Sequence, residues 1–461
     1  MTIKKLANFL LSSDRGHFSE LPKAPIDWLT HPAVRFFKIE AVAGLMLLFF
    51  TLLALILANS PFGDDFKRIW DVSLGINFHK YSFERTLHDW INDALMTFFF
   101  FLIALELKRE IILGEFSRPR LAMLSVSAAV GGMIVPAIIY LYFQYGELGQ
   151  NGWGTVMATD TAFVLGGLAL LGKRIPRTLR IFMLSLAVVD DIGATMVVVF
   201  GYGSQISFPY IAFSLIGFTV VRLMALAGIR SVGLFFGVGA IIWLCIDASG
   251  IHGTVTGVIL GLMTPTIKWV SDERLHNIVD AVAAHPPGAQ WGDSPYTKHV
   301  LKTAEAAARE ALSPVERLEI MLHPWVAFVI MPLFAFANAG IDLTNMAYSN
   351  SITTAVFFGF VLGKPIGIFL FSWLAVRFGF AILPTDVNWR MIFASGMLAG
   401  IGFTMAIFIS NLAFNAELVP AAKLGILLAS LVSGFLGVGL LYFFTRTQGS
   451  APAILKISPT K

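Results

Sequence analysis

Charge is what this chain lacks most. Of its 461 residues only 13% are Asp, Glu, Lys or Arg, against about 25% in soluble globular domains. The hydrophobic fraction is 56% and the mean hydropathy +0.75, which excludes a water-soluble domain as the bulk of the chain. Cysteine is nearly absent too. Cys245 stands alone in an apolar run, so an internal disulfide is impossible. The period-two alternation of a membrane β-barrel is missing; the apolar runs are continuous, so the spans are helices. A secretory leader is not expected, because MTIKKLANFLLSSDRG has a very short apolar stretch, meets charge at once and offers no convincing cleavage site. The net charge of +4 is small. The lipid bilayer is the expected partner, and no nucleic acid is.

What the chain has instead is a series of apolar runs long enough to cross a bilayer, at ~20 residues of ~1.5 Å rise for a ~30 Å core. Twelve are expected: 37–59, 87–107, 121–143, 153–171, 181–200, 208–228, 231–247, 250–265, 321–341, 352–376, 390–413 and 420–444. They divide the chain into a tail over 1–36, a membrane domain over 37–445 and a tail over 446–461. Within the domain, 60–86 is a polar connection. There DVSLGINFHKYSF alternates apolar and polar residues and predicts a β-hairpin over 72–83, turning at Gly75 or at His79-Lys80. A longer polar loop occupies 266–317. Charge tests the count, since Lys and Arg gather on the non-translocated side. With the N-terminus inside, Lys67, Arg68, Lys80, Arg85 and Lys423 fall outside and Lys364 within a span, leaving 27 of 33 basic residues inside. Slipping one span would destroy this alternation, so both termini are expected in the cytoplasm.

The run IFMLSLAVVDDIGATMVVVF carries Asp190 and Asp191 at mid-span. Insertion scales put each Asp at about +2.5 to +3.5 kcal/mol at a helix centre. A structural cap or bonded pair is the bland alternative, but ionisable groups at this depth mark ion or proton pathways by default. Two other spans are interrupted: the fourth at Thr159-Asp160-Thr161, within GTVMATDTAFVLGG, and the eleventh in LAGIGFTMAIFIS. Close-packing glycines would explain the eleventh taken alone. Both breaks, however, sit in the middle of a three-span set, 3–5 and 10–12, and matched broken helices are the best sequence pointer to a transporter site. Asp160 and Lys364 carry the right charges to offset exposed half-helix ends. Lys364 lies too deep in FFGFVLGKPIGIFLF to snorkel, and Asp190 is its expected partner. Asp93 could simply cap a helix. Glu106, Arg109 and Glu110 fit a solvated charged face, and His252 a surface histidine.

The segments WINDALM, LELKRE, GGMIVPA, ATDTAF, LAVVDDIGA, HPWVAFVIMPLFAFANAG, LGKPIGI and GIGFTMAIFI resemble those of NhaA-type sodium/proton antiporters, over about residues 37–445. The resemblance implies an all-α polytopic fold of twelve transmembrane helices, with inverted-topology repeats over spans 3–5 and 10–12 and discontinuous crossed helices at spans 4 and 11. NhaA is itself one of the type examples of that architecture. It implies a bacterial inner-membrane location, with Asp190 and Asp191 as the carboxylates that bind Na⁺ and Asp160 with Lys364 as the charge-compensating pair. It links Asp93, Glu106, Arg109, Glu110, His252 and Glu319 to ion access or pH response. Two features depart from the family pattern: Ile320 stands where a histidine is expected, and the 266–317 loop and N-terminal tail are long.

The expected function is electrogenic exchange of cytoplasmic Na⁺ or Li⁺ for external H⁺, two H⁺ per Na⁺, pH-regulated, serving sodium extrusion and pH homeostasis. No cofactor and no enzymatic activity are expected. Cation and protons compete for the Asp pair, with Thr159 and backbone carbonyls adding oxygens. Adjacent residues point ~100° apart around a helix; Asp190 is expected to face Lys364, and Asp191 a water-filled funnel. An intramembrane aspartyl protease is the alternative, but it needs aspartates facing each other from different helices. A channel would need a charged ring or filter sequence, which is missing. Exposed hairpin edges favour pairing with a second copy, and the family resemblance likewise implies a homodimer through 72–83.

Overall fold

The computed structural model of the chain describes residues 40–78, 81–113, 119–202, 207–229, 231–268, 270–283, 295–342 and 351–446. The tail over 1–36, residues His79 and Lys80 where a turn is expected, and the tail beyond 446 lie outside the described residues. The rest is a polytopic all-helical membrane fold. Among the described residues, eight helices are long and apolar enough to cross a bilayer, or up to ten if each of two bent helix pairs is one span; two apolar helices are shorter.

The chain enters through α1 (Glu40–Ala58), turns sharply into the short α2 (Gly63–Trp70), and makes β1 (Ser73–Phe78) and β2 (Tyr81–Thr86). The strands pair antiparallel in the register Ser73↔Thr86 to Phe78↔Tyr81. The ribbon therefore runs three residues past the expected limit of 83. Trp90 donates its indole N–H to the Leu74 carbonyl at 3.0 Å and stacks on Trp243, which ties the ribbon to the spans.

The span after the ribbon is not one regular helix. A single turn, Leu87–Asp89, closes on a capping box between Thr86 and Asp89; a π-helical stretch, Trp90–Leu95, follows, and then α3 (Met96–Leu113). Two further π-helical stretches exist among the described residues. Val326–Ile330 joins α12 (Pro314–Trp325) to α13 (Met331–Asn338), and Gly359–Gly363 joins α14 (Ser351–Phe358) to α15 (Lys364–Arg377). Such bulges gather at functional sites. One contains Asp93, and another ends immediately before Lys364.

Between these come α4 (Pro119–Gln144), α5 (Thr161–Leu171), α6 (Arg177–Gly201), α7 (Phe208–Leu226), α8 (Val232–Ala248) and α9 (Thr254–Met263). With 10 residues, α9 covers only about 15 Å at 1.5 Å per residue, half the hydrocarbon core and less than the 250–265 span expected. The polar loop is not bare coil: it holds α10 (Asp272–Ala283) and α11 (Pro295–Glu310), and α12 already begins at Pro314. The last elements are α16 (Trp389–Leu398), α17 (Phe403–Ala413) and α18 (Val419–Arg446).

Small residues let the central helices touch at the backbone, as they do in membranes, where apolar burial alone gives no drive to associate. A Cβ built on Gly131 of α4 would stand 2.2 Å from the Gly367 carbonyl of α15, and one on Gly363 would stand 2.6 Å from Pro136 Cα. This contact seats Lys364 in the protein interior, where it has no solvent exposure.

Candidate ion-binding site

Two chain breaks meet at mid-protein. The first follows a 3₁₀ helix, Gln150–Val156, and runs extended to Asp160 before α5 begins; the second lies between α16 and α17, which bend by 53°. Asp160 N–H donates to the Ile401 carbonyl at 2.7 Å, joining the breaks directly. The Asp160 side chain then serves two helix N-termini. Its Oδ1 accepts from Phe163 N at 3.3 Å, capping α5, and its Oδ2 accepts from the backbone N (3.1 Å) and hydroxyl (2.5 Å) of Thr404 in the first turn of α17. A carboxylate between two positive helix ends is the charge both macrodipoles favour.

Lys364 answers at the opposite ends. Its Nζ donates to the Met157 carbonyl (2.5 Å), Thr159 Oγ1 (2.8 Å) and Asp190 Oδ2 (2.6 Å). That uses all three ammonium protons. Met157 closes the 3₁₀ segment, so its carbonyl is a negative helix end. Thr159 Oγ1 lies 2.6 Å from Asp190 Oδ2 and 3.0 Å from the Ala399 carbonyl, at the C-terminus of α16. One hydroxyl proton serves only one of these at a time. Thr159, Asp160, Asp190 and Lys364 are all essentially unexposed.

Asp191 points to a different surface of α6. Its Oδ2 accepts from Thr161 Oγ1 at 3.2 Å, and 5% of the residue is exposed. The Oδ1 atoms of both Asp190 and Asp191 are buried and have no hydrogen-bond partner among the described residues. Unpaired buried carboxylate oxygens are costly. Two of them, on consecutive residues, make an acceptor pair suited to a small hard cation or to protons.

The other candidate residues fall into two clusters away from this site. Near the ribbon, Asp93 is no helix cap. Its Oδ2 accepts from Arg85 of β2 at 2.5 Å, Arg85 also bonds Asp247 at the end of α8, and His252 Nδ1 stands 4.0 Å from Asp93 Oδ1. At the other end of α3, Arg109 bonds Glu319 of α12 at 2.6 Å and Glu110 at 3.3 Å. Glu106 is half-buried one turn back and lies within electrostatic range of Asp191. Ile320 is 63% exposed and takes no part. Sequence reasoning left Thr161 and Thr404 out of the site, though both stand inside segments it singled out. It also missed Arg85 and Asp247, 162 residues apart, which nothing in the local sequence links.

A multi-pass helical protein with an ion pair buried at two chain breaks belongs to the class of membrane transporters. Comparison with known proteins gives the family. The profile of the family described as Na⁺/H⁺ antiporter 1 matches residues 34–441, and the chain belongs to that family. Similar curated proteins include Na(+)/H(+) antiporter NhaA 2 of Vibrio vulnificus, 58% identical over 94% of this chain and 97% of the relative. Na(+)/H(+) antiporter NhaA of Rhizobium meliloti is 53% identical over 91% and 96%, and NhaA 2 of Acidiphilium cryptum is 52% identical over 94% and 97%. The family supports sodium/proton exchange. The chain is thus a transporter and not an enzyme, which disposes of the protease alternative, and its ions are cargo, with no cofactor.

Proposed function

We propose that the chain exchanges cytoplasmic Na⁺ or Li⁺ for external H⁺ at Asp190 and Asp191, two H⁺ per Na⁺. The observation that carries this is the pair of buried, partnerless Oδ1 atoms on consecutive residues. Two neighbouring carboxylates in a low-dielectric site resist double ionisation, so cation and protons are alternative occupants of the same oxygens. Asp191, held among the described residues by Thr161 alone, takes the cation first. Asp190 joins it when the Lys364 ammonium lets go, and Thr159 supplies a further oxygen. Protons reaching Asp191 and the Asp190–Lys364 pair from the other side displace the cation. One charge leaving the cytoplasm with each cation and two entering as protons make the cycle electrogenic. Asp160 stays put, because its oxygens stabilise two helix N-termini.

In this proposal twelve spans form the membrane domain, counting the two short apolar helices and both bent pairs, with crossed breaks at spans 4 and 11. It sits in the bacterial inner membrane with both termini in the cytoplasm, in keeping with the distribution of Lys and Arg. Asp93 and His252 on the ribbon side, and Glu106, Arg109, Glu110 and Glu319 at the opposite end, adjust access or pH response. Two ribbons pair edge to edge in a homodimer, because an isolated hairpin exposes unpaired strand edges. Each protomer keeps a complete ion site. The test is a proteoliposome assay: an interior acidified by a pump, then NaCl added and the dequenching of a pH probe followed. Na⁺-dependent proton movement is expected, lost in Asp190→Asn and Asp191→Asn proteins that still insert. No Na⁺-dependent movement in the parent overturns the proposal.

A further inference from the structure

The first half of the fourth span has little internal strength. Gln150–Val156 is a 3₁₀ helix, a form with poorer hydrogen-bond geometry than the α-helix and seldom sustained beyond three or four residues. Its sequence, QNGWGTV, holds two glycines, which weaken a helix through backbone entropy. Two phenols from neighbouring spans hold it in place. Tyr140 of α4 donates its hydroxyl to the Gly149 carbonyl at 2.6 Å, at the start of the segment. Tyr202, the C-cap of α6, donates to the Asn151 carbonyl at 2.8 Å and accepts from Gly154 N–H at 3.2 Å. One hydroxyl is thus donor and acceptor within a single 3₁₀ turn, as a phenol allows. The approach is close: a Cβ on Gly154 would stand 2.6 Å from the Tyr202 oxygen.

The Tyr202 bond begins a series that ends on the ion site. Gly154 gives its N–H to the phenol, and its carbonyl accepts from Met157 N–H at 3.2 Å. The Met157 carbonyl accepts from Lys364 Nζ at 2.5 Å, and the same ammonium bonds Thr159 and Asp190. Gly154 and Met157 alone carry this series from the phenol to the ammonium. Tyr202 also closes the helix that bears Asp190. Helix α6 therefore supplies the carboxylate and, at its end, the residue that sets where Met157 lies. Asp160 caps the second half of the span; Tyr202 is its counterpart for the first half.

We propose that Tyr202 is a positioning residue for cation binding: its hydroxyl holds the 3₁₀ segment so that the Met157 carbonyl keeps the Lys364 ammonium when Asp190 turns to the cation. This rests on exchange at the aspartate pair. In that cycle Lys364 lets go of Asp190. Of the three acceptors bonded to its ammonium, Asp190 and Thr159 are both drawn to the cation, which leaves the Met157 carbonyl. Without the Tyr202 hydroxyl, the N–H of the buried Gly154 loses the partner it has in the structure, and such a group is costly to strand. The turn that ends on Met157 loosens, and the ammonium stays on Asp190. Cation binding weakens, while the carboxylates that exchange the protons are untouched.

The test is Tyr202→Phe in proteoliposomes at fixed pH, with exchange followed against NaCl concentration and rates normalised to inserted protein. The ring stays and the hydroxyl goes. The apparent KM for Na⁺ should rise about threefold to tenfold, the factor that one lost hydrogen bond gives, with the maximal rate within about twofold of the parent. A purely structural role does the reverse: fewer folded transporters lower the maximal rate and leave KM alone. Gly154→Ala attacks the same bond from the other side, through a Cβ 2.6 Å from the phenol oxygen, and should raise KM by a similar factor; it carries the test if Tyr202→Phe fails to insert. A parent that exchanges, with parental KM in either inserted variant, overturns this inference and leaves exchange at the aspartate pair standing. A parent with no Na⁺-dependent exchange overturns both.

Discussion

Lys364→Met removes the cation bonded to Asp190 and keeps a flexible side chain of similar volume, so little cavity is added. The ammonium makes three bonds of 2.5 to 2.8 Å, all unexposed. Its loss strands the Asp190 carboxylate with a single hydroxyl neighbour, and strands the Met157 carbonyl as well. Removing one partner of a buried ion pair costs about 3–5 kcal/mol, whereas replacing both partners by neutral groups is close to neutral. Asp190→Asn combined with Lys364→Met should accordingly recover most of the loss, giving a coupling of about 3 kcal/mol in a double-mutant cycle. The assay is equilibrium unfolding of purified protein in mixed detergent micelles titrated with dodecyl sulfate, at pH 8, since acid lets a stranded carboxylate neutralise itself. A coupling below about 0.5 kcal/mol would refute an ionised Asp190–Lys364 pair, because distant independent sites differ by no more than that.

Thr404→Val keeps the β-branched shape and deletes the 2.5 Å bond to Asp160; a loss of about 1.5–3 kcal/mol is expected in the same titration, and no loss would mean that Asp160 does not hold the two breaks together. Gly131→Val should force α4 from α15, since even a Cβ there would stand 2.2 Å from the Gly367 carbonyl; overpacking of this kind costs about 1–3 kcal/mol, and unchanged stability and exchange would contradict the close approach. Arg85→Gln leaves Asp93 and Asp247 facing each other without their cation; a partly exposed group of this kind is worth roughly 1 kcal/mol, read as earlier unfolding, and unaltered unfolding would argue against the cluster. Deleting 72–83 should shift the protein toward monomer in native mass spectrometry while exchange persists; an unchanged oligomer would rule out the ribbon interface.

The parts of the site that could be read from the sequence are those in which a residue type contradicts its surroundings. Asp190, Asp191 and Lys364 stand out because apolar runs surround them, and Thr159-Asp160 because it interrupts one. The Lys364–Asp190 contact followed from charge and depth alone. Other features leave no such mark. The π-helical stretches at Trp90–Leu95, Val326–Ile330 and Gly359–Gly363 have no period of their own in the sequence, since a single i→i+5 turn displaces the helical pattern by only one residue. Asp93 invited a cap assignment because Arg85, its partner, lies on a strand. Helices α10 and α11 were missed because their polar composition reads as loop.

The claim that Na⁺ and H⁺ share the Asp190 and Asp191 oxygens is tested most directly without transport, by adding NaCl to purified protein in weakly buffered detergent solution and measuring proton release. A common site predicts that Na⁺ binding expels between one and two protons per protomer, that apparent Na⁺ affinity weakens as pH falls, and that Asp191→Asn abolishes both effects. Saturable Na⁺ binding with no proton release, at an affinity indifferent to pH, would contradict it.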